Sequence, residues 1–158
     1  MARLISHRGP DDQGVWYDDN VGLAHTRLSI LDLSLAGHQP LQSATGRYVI
    51  VFNGEIYNHH ALRYELEKLT VRNWRGHSDT ETLVAAIEQW GIESTLKKTV
   101  GMFAFALWDK YDQILTLARD RMGEKPLYYG WIDDVFVFAS ELKPLKGFNG
   151  FNNPIDRA

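Results

Sequence analysis

The chain has 158 residues, enough for one well-buried domain and too few for two comfortable ones. Hydrophobic residues make up 44% and charged residues 23%, a globular balance that excludes a disordered chain. The net charge of −3 comes without a basic stripe, which argues against nucleic acid, and no apolar run reaches bilayer-spanning length.

Residues 1–20 are polar and turn-rich, with HRGPDDQG at 7–14. Pro10 pushes Gly9 away from helix, so an ordered loop is expected here. Residues 21–31 and 47–52 read as strands. Asn58 is placed to cap a helix over 59–69, with Leu62, Leu66 and Leu69 on one face. Ser78 and Glu81 have capping-box spacing for a helix over 78–90. Its stripe is Leu83, Val84, Ile87 and Trp90, and Gly91 stands where a C-terminal cap belongs. A shorter helix is expected over 92–98.

The second half reads as strands at 102–109, 114–120, 127–132 and 135–140, with short turns that suggest antiparallel pairing. The first of these is apolar on both faces, since Phe103, Phe105 and Leu107 alternate with Met102, Ala104, Ala106 and Trp108. A strand with no wet face lies in a sheet covered on both sides. The expected architecture is α+β, with stacked antiparallel sheets between helical layers. The tail at 148–158 is poor in core residues and reads as the start of a linker, leaving 1–147 as the domain.

The sequence contains no cysteine, which rules out disulfides and thiolate chemistry among these residues. Its six histidines are scattered, so no metal site is expected. FNGEIYN at 52–58 is the most informative stretch. Asn-Gly is the commonest tight hairpin turn, yet the residues after Gly54 become helical. The Asn53 amide and the Gly54 N–H can instead converge as an oxyanion hole, with the Glu55 carboxylate beside them. Asp79, in GHSDTE, falls in the first turn of a capped helix. It either complements the helix dipole or, kept ionised by helix N–H groups, holds a substrate ammonium. Arg27 lies in a buried-looking strand, where arginine needs a partner. The partner is either an internal acid such as Asp32 or a ligand carboxylate gripped by two parallel hydrogen bonds. An arginine for a carboxylate, two carboxylates for an ammonium and two donors for an oxyanion together match free glutamine.

HRGPDDQG, RLSILDLSLAGHQP, VFNGEIYN, SDTE, GMFAFALWD, RDRMGEKPLYYG and FASELK stand in an order that resembles class II glutamine amidotransferase domains. The wording is most similar to the asparagine synthetase branch, and it covers His7 to Lys143. The resemblance implies the N-terminal-nucleophile hydrolase sandwich, two antiparallel sheets between helical layers (αββα). It places Asn53 and Gly54 in the oxyanion hole, Arg27 on the glutamine α-carboxylate, and Glu55 and Asp79 on its α-ammonium. In that family an N-terminal cysteine attacks the glutamine side-chain carbonyl, with its own α-amino group as base. Ammonia then passes to a synthetase domain, where ATP activates aspartate.

Family members begin Met-Cys-Gly, whereas this sequence begins Met-Ala-Arg close to HRGPDD. The first strand, the nucleophile and the synthetase domain with its SGGxDS-type motif are therefore expected to lie outside these residues. The chain is then a partial, N-terminally truncated glutaminase domain, inactive and marginally stable alone. No cofactor is expected in this domain, with ATP and Mg confined to the synthetase domain. The expected partners are L-glutamine and that synthetase domain, in the cytoplasm, with no membrane or nucleic acid and a homo-oligomer left open. Two other readings stand: an amidotransferase for another carboxylate such as a sugar acid, and a non-catalytic glutamine-binding or interaction module. The charged residues Arg119, Asp120, Arg121 and Lys125, and likewise Ser140 and Glu141, read either as turns with local salt bridges or as a domain interface. His7 and Arg8 are expected to organise their loop.

Overall fold

The computed structural model describes residues 1–152. Its centre is an antiparallel four-stranded sheet in the order β3 (Leu41–Gln42), β4 (Tyr48–Ile56), β5 (Gly101–Asp109) and β6 (Ile114–Arg119). β4 and β5 pair along their whole length, from Tyr48↔Asp109 to Ile56↔Gly101.

Alternation along these two strands divides the core. Ile50, Phe52 and Ile56 of β4 face one way with Phe103, Phe105 and Leu107 of β5. They meet Leu62 of α1 (His59–Leu69) and Leu83, Val84 and Ile87 of α2 (Asp79–Trp90), with Ile92 and Leu96 of α3 (Ile92–Lys98) at the margin. Val49, Val51, Ala106 and Trp108 face the other way. They meet Leu23, Trp16 and Val21 from the hairpin β1 (Asp12–Asp18)–β2 (Val21–Arg27), and Phe138 from the hairpin β7 (Tyr128–Ile132)–β8 (Val135–Ala139). β5 is thus covered on both faces, as its lack of a polar face requires. The α+β sandwich holds, but its second sheet layer is two separate hairpins, β1–β2 and β7–β8, which share no ladder. The outer helical layer is slight: α4 (Leu142–Lys146) and a kinked 3-10 segment at Ala2–Arg8.

Several boundaries differ from the sequence expectation. The loop expected over residues 1–20 contains that 3-10 segment and all of β1. β1 escapes a pattern reading because only Gly14 of its seven residues is buried. The strand expected over 21–31 stops at Arg27, and Leu28, Ile30, Leu31 and Leu33 are exposed in a loop that leads to a short 3-10 turn at Leu35–Gly37. That loop turns back because the Arg27 guanidinium draws in the carbonyls of Asp32 and Ser34. Asn58 precedes α1 but makes no side-chain cap. Its amide bonds the Lys98 carbonyl and the Val100 N–H instead, tying α1 to the start of β5. Leu69 is exposed rather than on the buried face.

At α2 the Ser78 hydroxyl accepts from Glu81 N–H at 3.2 Å, as the spacing predicts. The Glu81 carboxylate does not return to Ser78; it accepts from the N–H groups of Arg75 and Gly76. The expected linker at 148–158 begins inside the core, since Phe148 and Phe151 pack on Ile132, Val137 and Leu145. Residues 153–158 of that stretch lie outside the described residues. No helix among the described residues is long and apolar enough to cross a membrane.

Leu107, 1% exposed, lies in the helix-side core cluster. Leu107→Ala is expected to cost about 2–5 kcal/mol of unfolding free energy. Urea unfolding of both chains measures it, and a change under 1 kcal/mol (roughly the floor for a buried deletion) would contradict this packing.

Candidate functional site

The two hairpins leave a cleft of about 1120 Å³ over the cleft-side face of the central sheet. On that face β4 changes character from Val49 and Val51 to Asn53 and Glu55. β5 opposite them carries Ala106, Ala104 and Met102, two of them small enough to leave room. Arg27, Asn53, Gly54, Glu55 and Asp79 all line this one cleft.

Arg27 closes β2 and is 7% exposed. Its guanidinium donates to the Ser34 carbonyl at 2.8 Å and to the Asp32 carbonyl. Among the described residues it makes no ion pair. The internal acid considered from sequence, Asp32, offers only its backbone. The Asp32 carboxylate accepts instead from Ser34 N–H and Oγ–H and from His77 N–H, bonds that hold it down at about 2. Gly37 lies against the guanidinium, and a Cβ there would stand 2.7 Å from Arg27 Cζ. The result is a buried cation oriented by neutral carbonyls, with the Asp32 and Asp12 carboxylates near enough to feel its charge but neither in ion-pair contact.

Asp79 is 5% exposed. Its Oδ2 accepts from Ile56 N–H and its Oδ1 from Thr80 N–H, both at 2.8 Å, so it ties the end of β4 to the start of α2. Burial pushes its carboxyl above the ordinary range, and these backbone bonds only partly oppose it. The nearby Glu55 carboxylate pushes in the same upward direction, which marks the two acids as neighbours.

Asn53 presents a buried Nδ2 with no hydrogen-bond partner among the described residues. Leaving such a donor unmade costs about 1–3 kcal/mol. The neighbouring Gly54 packs so closely on β5 that a Cβ would sit 2.7 Å from Phe103 Cα. Its main-chain direction follows from strand alternation. Tyr48 bonds outward to Ser43, and Arg47 and Tyr57 bond toward the β5 side through Lys110 and Val100. Even-numbered residues of β4 therefore turn their N–H and C=O away from β5. Gly54 is one of them, and no strand lies beyond it.

His25 and Gln39 were not singled out from the sequence as site residues. His25 lines the cleft, bonds the Phe52 carbonyl through Nε2 at 3.1 Å and keeps a buried, unpartnered Nδ1. Gln39 is 7% exposed and accepts from Phe52 N–H at 2.7 Å. The available signal was period two: His25 and Arg27 share a face of β2. Gln39 left none, being a glutamine before a proline.

Several of the charged residues at 119–125 and 140–141 make local contacts. Glu141 accepts from His7 at 3.1 Å and Arg8 at 3.3 Å, pinning the 3-10 segment to the start of α4. Asp120 accepts from the N–H groups of Phe103, Glu124 and Lys125, and Arg119 bonds the carbonyls of Lys125 and Gly123. This turn is held by side chain-to-backbone bonds rather than salt bridges. Among the described residues no group of three or more His, Asp or Glu could hold a metal ion.

Burial pulls the His25 pKa from 6.5 to about 4. The charged and titratable groups around it are Arg27, Asp12 and His38. The folded value is the lower one, so between pH 6.5 and 4 the unfolded chain binds the extra proton. The stability tied to neutral His25 is therefore complete above pH 6.5 and declines as pH falls toward 4, by on the order of 3 kcal/mol at most. His25→Gln keeps an N–H for Phe52 but does not titrate. Urea midpoints from pH 7 down to 4.5 are expected to fall less steeply for the variant, and parallel curves would refute the assignment.

A family model for the glutamine amidotransferase domain matches residues 1–158. Asparagine synthetase [glutamine-hydrolyzing] 1 of Bacillus subtilis is 47% identical over 145 residues, 92% of this chain and 22% of that protein. Asparagine synthetase B of Escherichia coli is 42% identical over 146 residues, 92% of this chain and 26% of its own length. Amidase chry2 of Gibberella zeae is 42% identical over 147 residues, again 92% of this chain and 22% of the relative. The chain thus spans about a quarter or less of these relatives. Among solved structures, the glutamine PRPP amidotransferase of B. subtilis, complexed with ADP and GMP, aligns with a TM-score of 0.71 at 23% identity. That alignment covers 89% of this chain and 38% of the other, and it shows the shared fold. The chain belongs to the glutamine amidotransferase domain family, and within it is homologous to the glutaminase domains of glutamine-hydrolysing asparagine synthetases.

Proposed function

We propose that the cleft binds free L-glutamine and forms the glutaminase site of a larger asparagine synthetase-like protein. The observation that carries this reading is the buried Arg27 guanidinium, which makes no salt bridge among the described residues and shares a cleft with two neighbouring acids. In the proposed complex Arg27 takes the α-carboxylate in a two-bond fork. Glu55 and Asp79 take the α-ammonium. Asn53 Nδ2 and Gly54 N–H point to where the side-chain carbonyl oxygen gathers charge as a nucleophile adds to it. Because these donors are already fixed, no reorganisation is needed as the oxyanion forms. The amide C–N bond then breaks and ammonia leaves.

The nucleophile itself cannot be a cysteine of these 158 residues, since none occurs. It is supplied in this reading by a segment outside them. The ammonia is then used in the full-length protein for the ATP-dependent conversion of aspartate to asparagine, a cytoplasmic reaction. A fungal amidase resembles the chain nearly as well as the synthetases do, so another carboxylate acceptor is the second reading. Both share the same glutamine site.

Calorimetric titration tests the site. The unmodified chain is expected to bind L-glutamine, and Arg27→Lys is expected to weaken binding at least tenfold (roughly the loss of one charged hydrogen bond). Asp79→Asn should weaken it similarly. Absence of any heat at millimolar glutamine would remove the reading. Joining a segment that begins Met-Cys-Gly ahead of Met1 should allow a glutamine-derived electrophile to label the new cysteine, with free glutamine protecting it. An unlabelled cysteine in a folded, glutamine-binding chain would leave a binding module instead of an enzyme domain.

A further inference from the structure

The outer edge of β4 poses a problem that the glutamine roles do not explain. β3 pairs only through Leu41↔Ile50 and Gln42↔Val49. Beyond it, the outward-facing peptide groups of Phe52, Gly54 and Ile56 have no strand to meet. Buried main-chain groups must nevertheless be satisfied. Side chains from three different segments do this. Gln39 Oε1 accepts from Phe52 N–H at 2.7 Å, His25 Nε2 bonds Phe52 C=O at 3.1 Å, and Asp79 Oδ2 accepts from Ile56 N–H at 2.8 Å. The one residue skipped is Gly54, between them.

We propose that His25 and Gln39 are positioning residues: by gripping both polar groups of Phe52 from outside the sheet, they replace a strand that would otherwise cover Gly54, and so keep its N–H open and aimed for the glutamine carbonyl. The inference rests on the glutamine reading for the ligand but not for the grip itself. A carbonyl can only accept, so His25 must carry its proton on Nε2, and Nδ1 keeps a lone pair in a dry place. Protonating Nδ1 would bury a second N–H with nothing to receive it, in keeping with a ring held neutral well below its ordinary range. The Gln39 amide NH2 reaches toward Thr80 Oγ1 at 3.5 Å, which puts the grip next to the Asp79 that secures Ile56. Phe52 also plants its ring in the helix-side core. Its backbone is thus fixed on both sides, one residue before Asn53 and two before Gly54.

Nuclear magnetic resonance on the whole chain, with and without glutamine, tests this. In the unmodified chain the His25 ring nitrogens should show the Nε2-protonated tautomer at pH 7; the opposite tautomer would overturn the proposal without any variant. His25→Ala and Gln39→Ala should shift the Gly54 amide and Asn53 side-chain signals, speed exchange of the Phe52 and Gly54 amides, and weaken glutamine binding about tenfold, as expected for one buried hydrogen bond. His25→Gln, which retains a donor, and Gln39→Glu, which retains an acceptor, should restore the Gly54 signal. Variants that lose global stability while leaving the Gly54 and Asn53 signals and the glutamine affinity unmoved would show a purely structural role and refute the proposal. Failure of the unmodified chain to bind glutamine would sink the glutamine reading alone, because the tautomer and the Gly54 signal still decide the grip.

Discussion

The site exists because the pairing of β4 stops early. On one side β4 is laced to β5 from Tyr48 to Ile56, which makes it one of the most constrained stretches of the molecule. On the other side β3 gives it two partners and then ends. An uncovered strand edge is ordinarily an invitation to aggregation or a waste of hydrogen bonds. Here the edge is partly finished with side chains, and among the residues they hold stands Gly54, packed too tightly on Phe103 to carry a side chain. Rigidity on the β5 side and openness on the other are what a fixed donor requires. A donor on a loose loop would have to be ordered at the moment of reaction, and that ordering would subtract from its effect.

The parts of this arrangement differ in how legible they are from sequence. The α2 helix announces itself because its cap, stripe and terminating glycine are all local: Ser78, Leu83 to Ile87, and Gly91. β5 is equally plain, since an unbroken apolar strand has few places to go. Arg27 stands out because an arginine inside a strand is unusual, whereas Asn53, Gly54, Glu55 and Asp79 are ordinary at their positions and stand out only as a set; the fold brings all five to one cleft. What escaped is what depends on long-range closure. β1 has almost no buried residue of its own and is held by pairing with β2. The strand that reads as continuing through Leu28 and Ile30 is cut short by a turn whose cause, the Arg27 guanidinium seeking carbonyls, lies in three dimensions. His25 and Gln39 look like an ordinary strand residue and an ordinary loop residue until Phe52 is placed between them. The separation of the second layer into two hairpins leaves no mark in either hairpin's pattern.

In the proposed glutamine complex, charge placement favours an α-amino acid over a simple acid or amine. Arg27 is buried and its guanidinium is held by carbonyl dipoles. Glu55 lies near Asp79, and burial disfavours the ionised form of Asp79. A zwitterion relieves both at once: its carboxylate neutralises the guanidinium, and its ammonium separates the two acids. A ligand with only one of these charges would desolvate itself and leave the opposite end uncompensated, at several kcal/mol for an unpaired buried charge (roughly). Discrimination then comes chiefly from what is left unpaired in the wrong complex, a stronger filter than the attraction in the right one.

The same reasoning extends to Asp79, which is asked to do two things. Its oxygens already accept from Ile56 and Thr80, so it is a joint between β4 and α2 before any ligand arrives. If it served only as that joint, an ionised carboxylate away from other acids would be the better design, since two N–H donors favour the charged form. Burial, and to a lesser degree Glu55, pushes its pKa upward against those bonds. A structural residue gains nothing from that neighbour. A residue that must answer an arriving ammonium does, because the carboxylate that was disfavoured alone becomes favoured once the cation is in place. In the proposed complex the ammonium favours the charged form of Asp79, and this ties glutamine binding to the same bond that anchors the end of β4 beside Gly54.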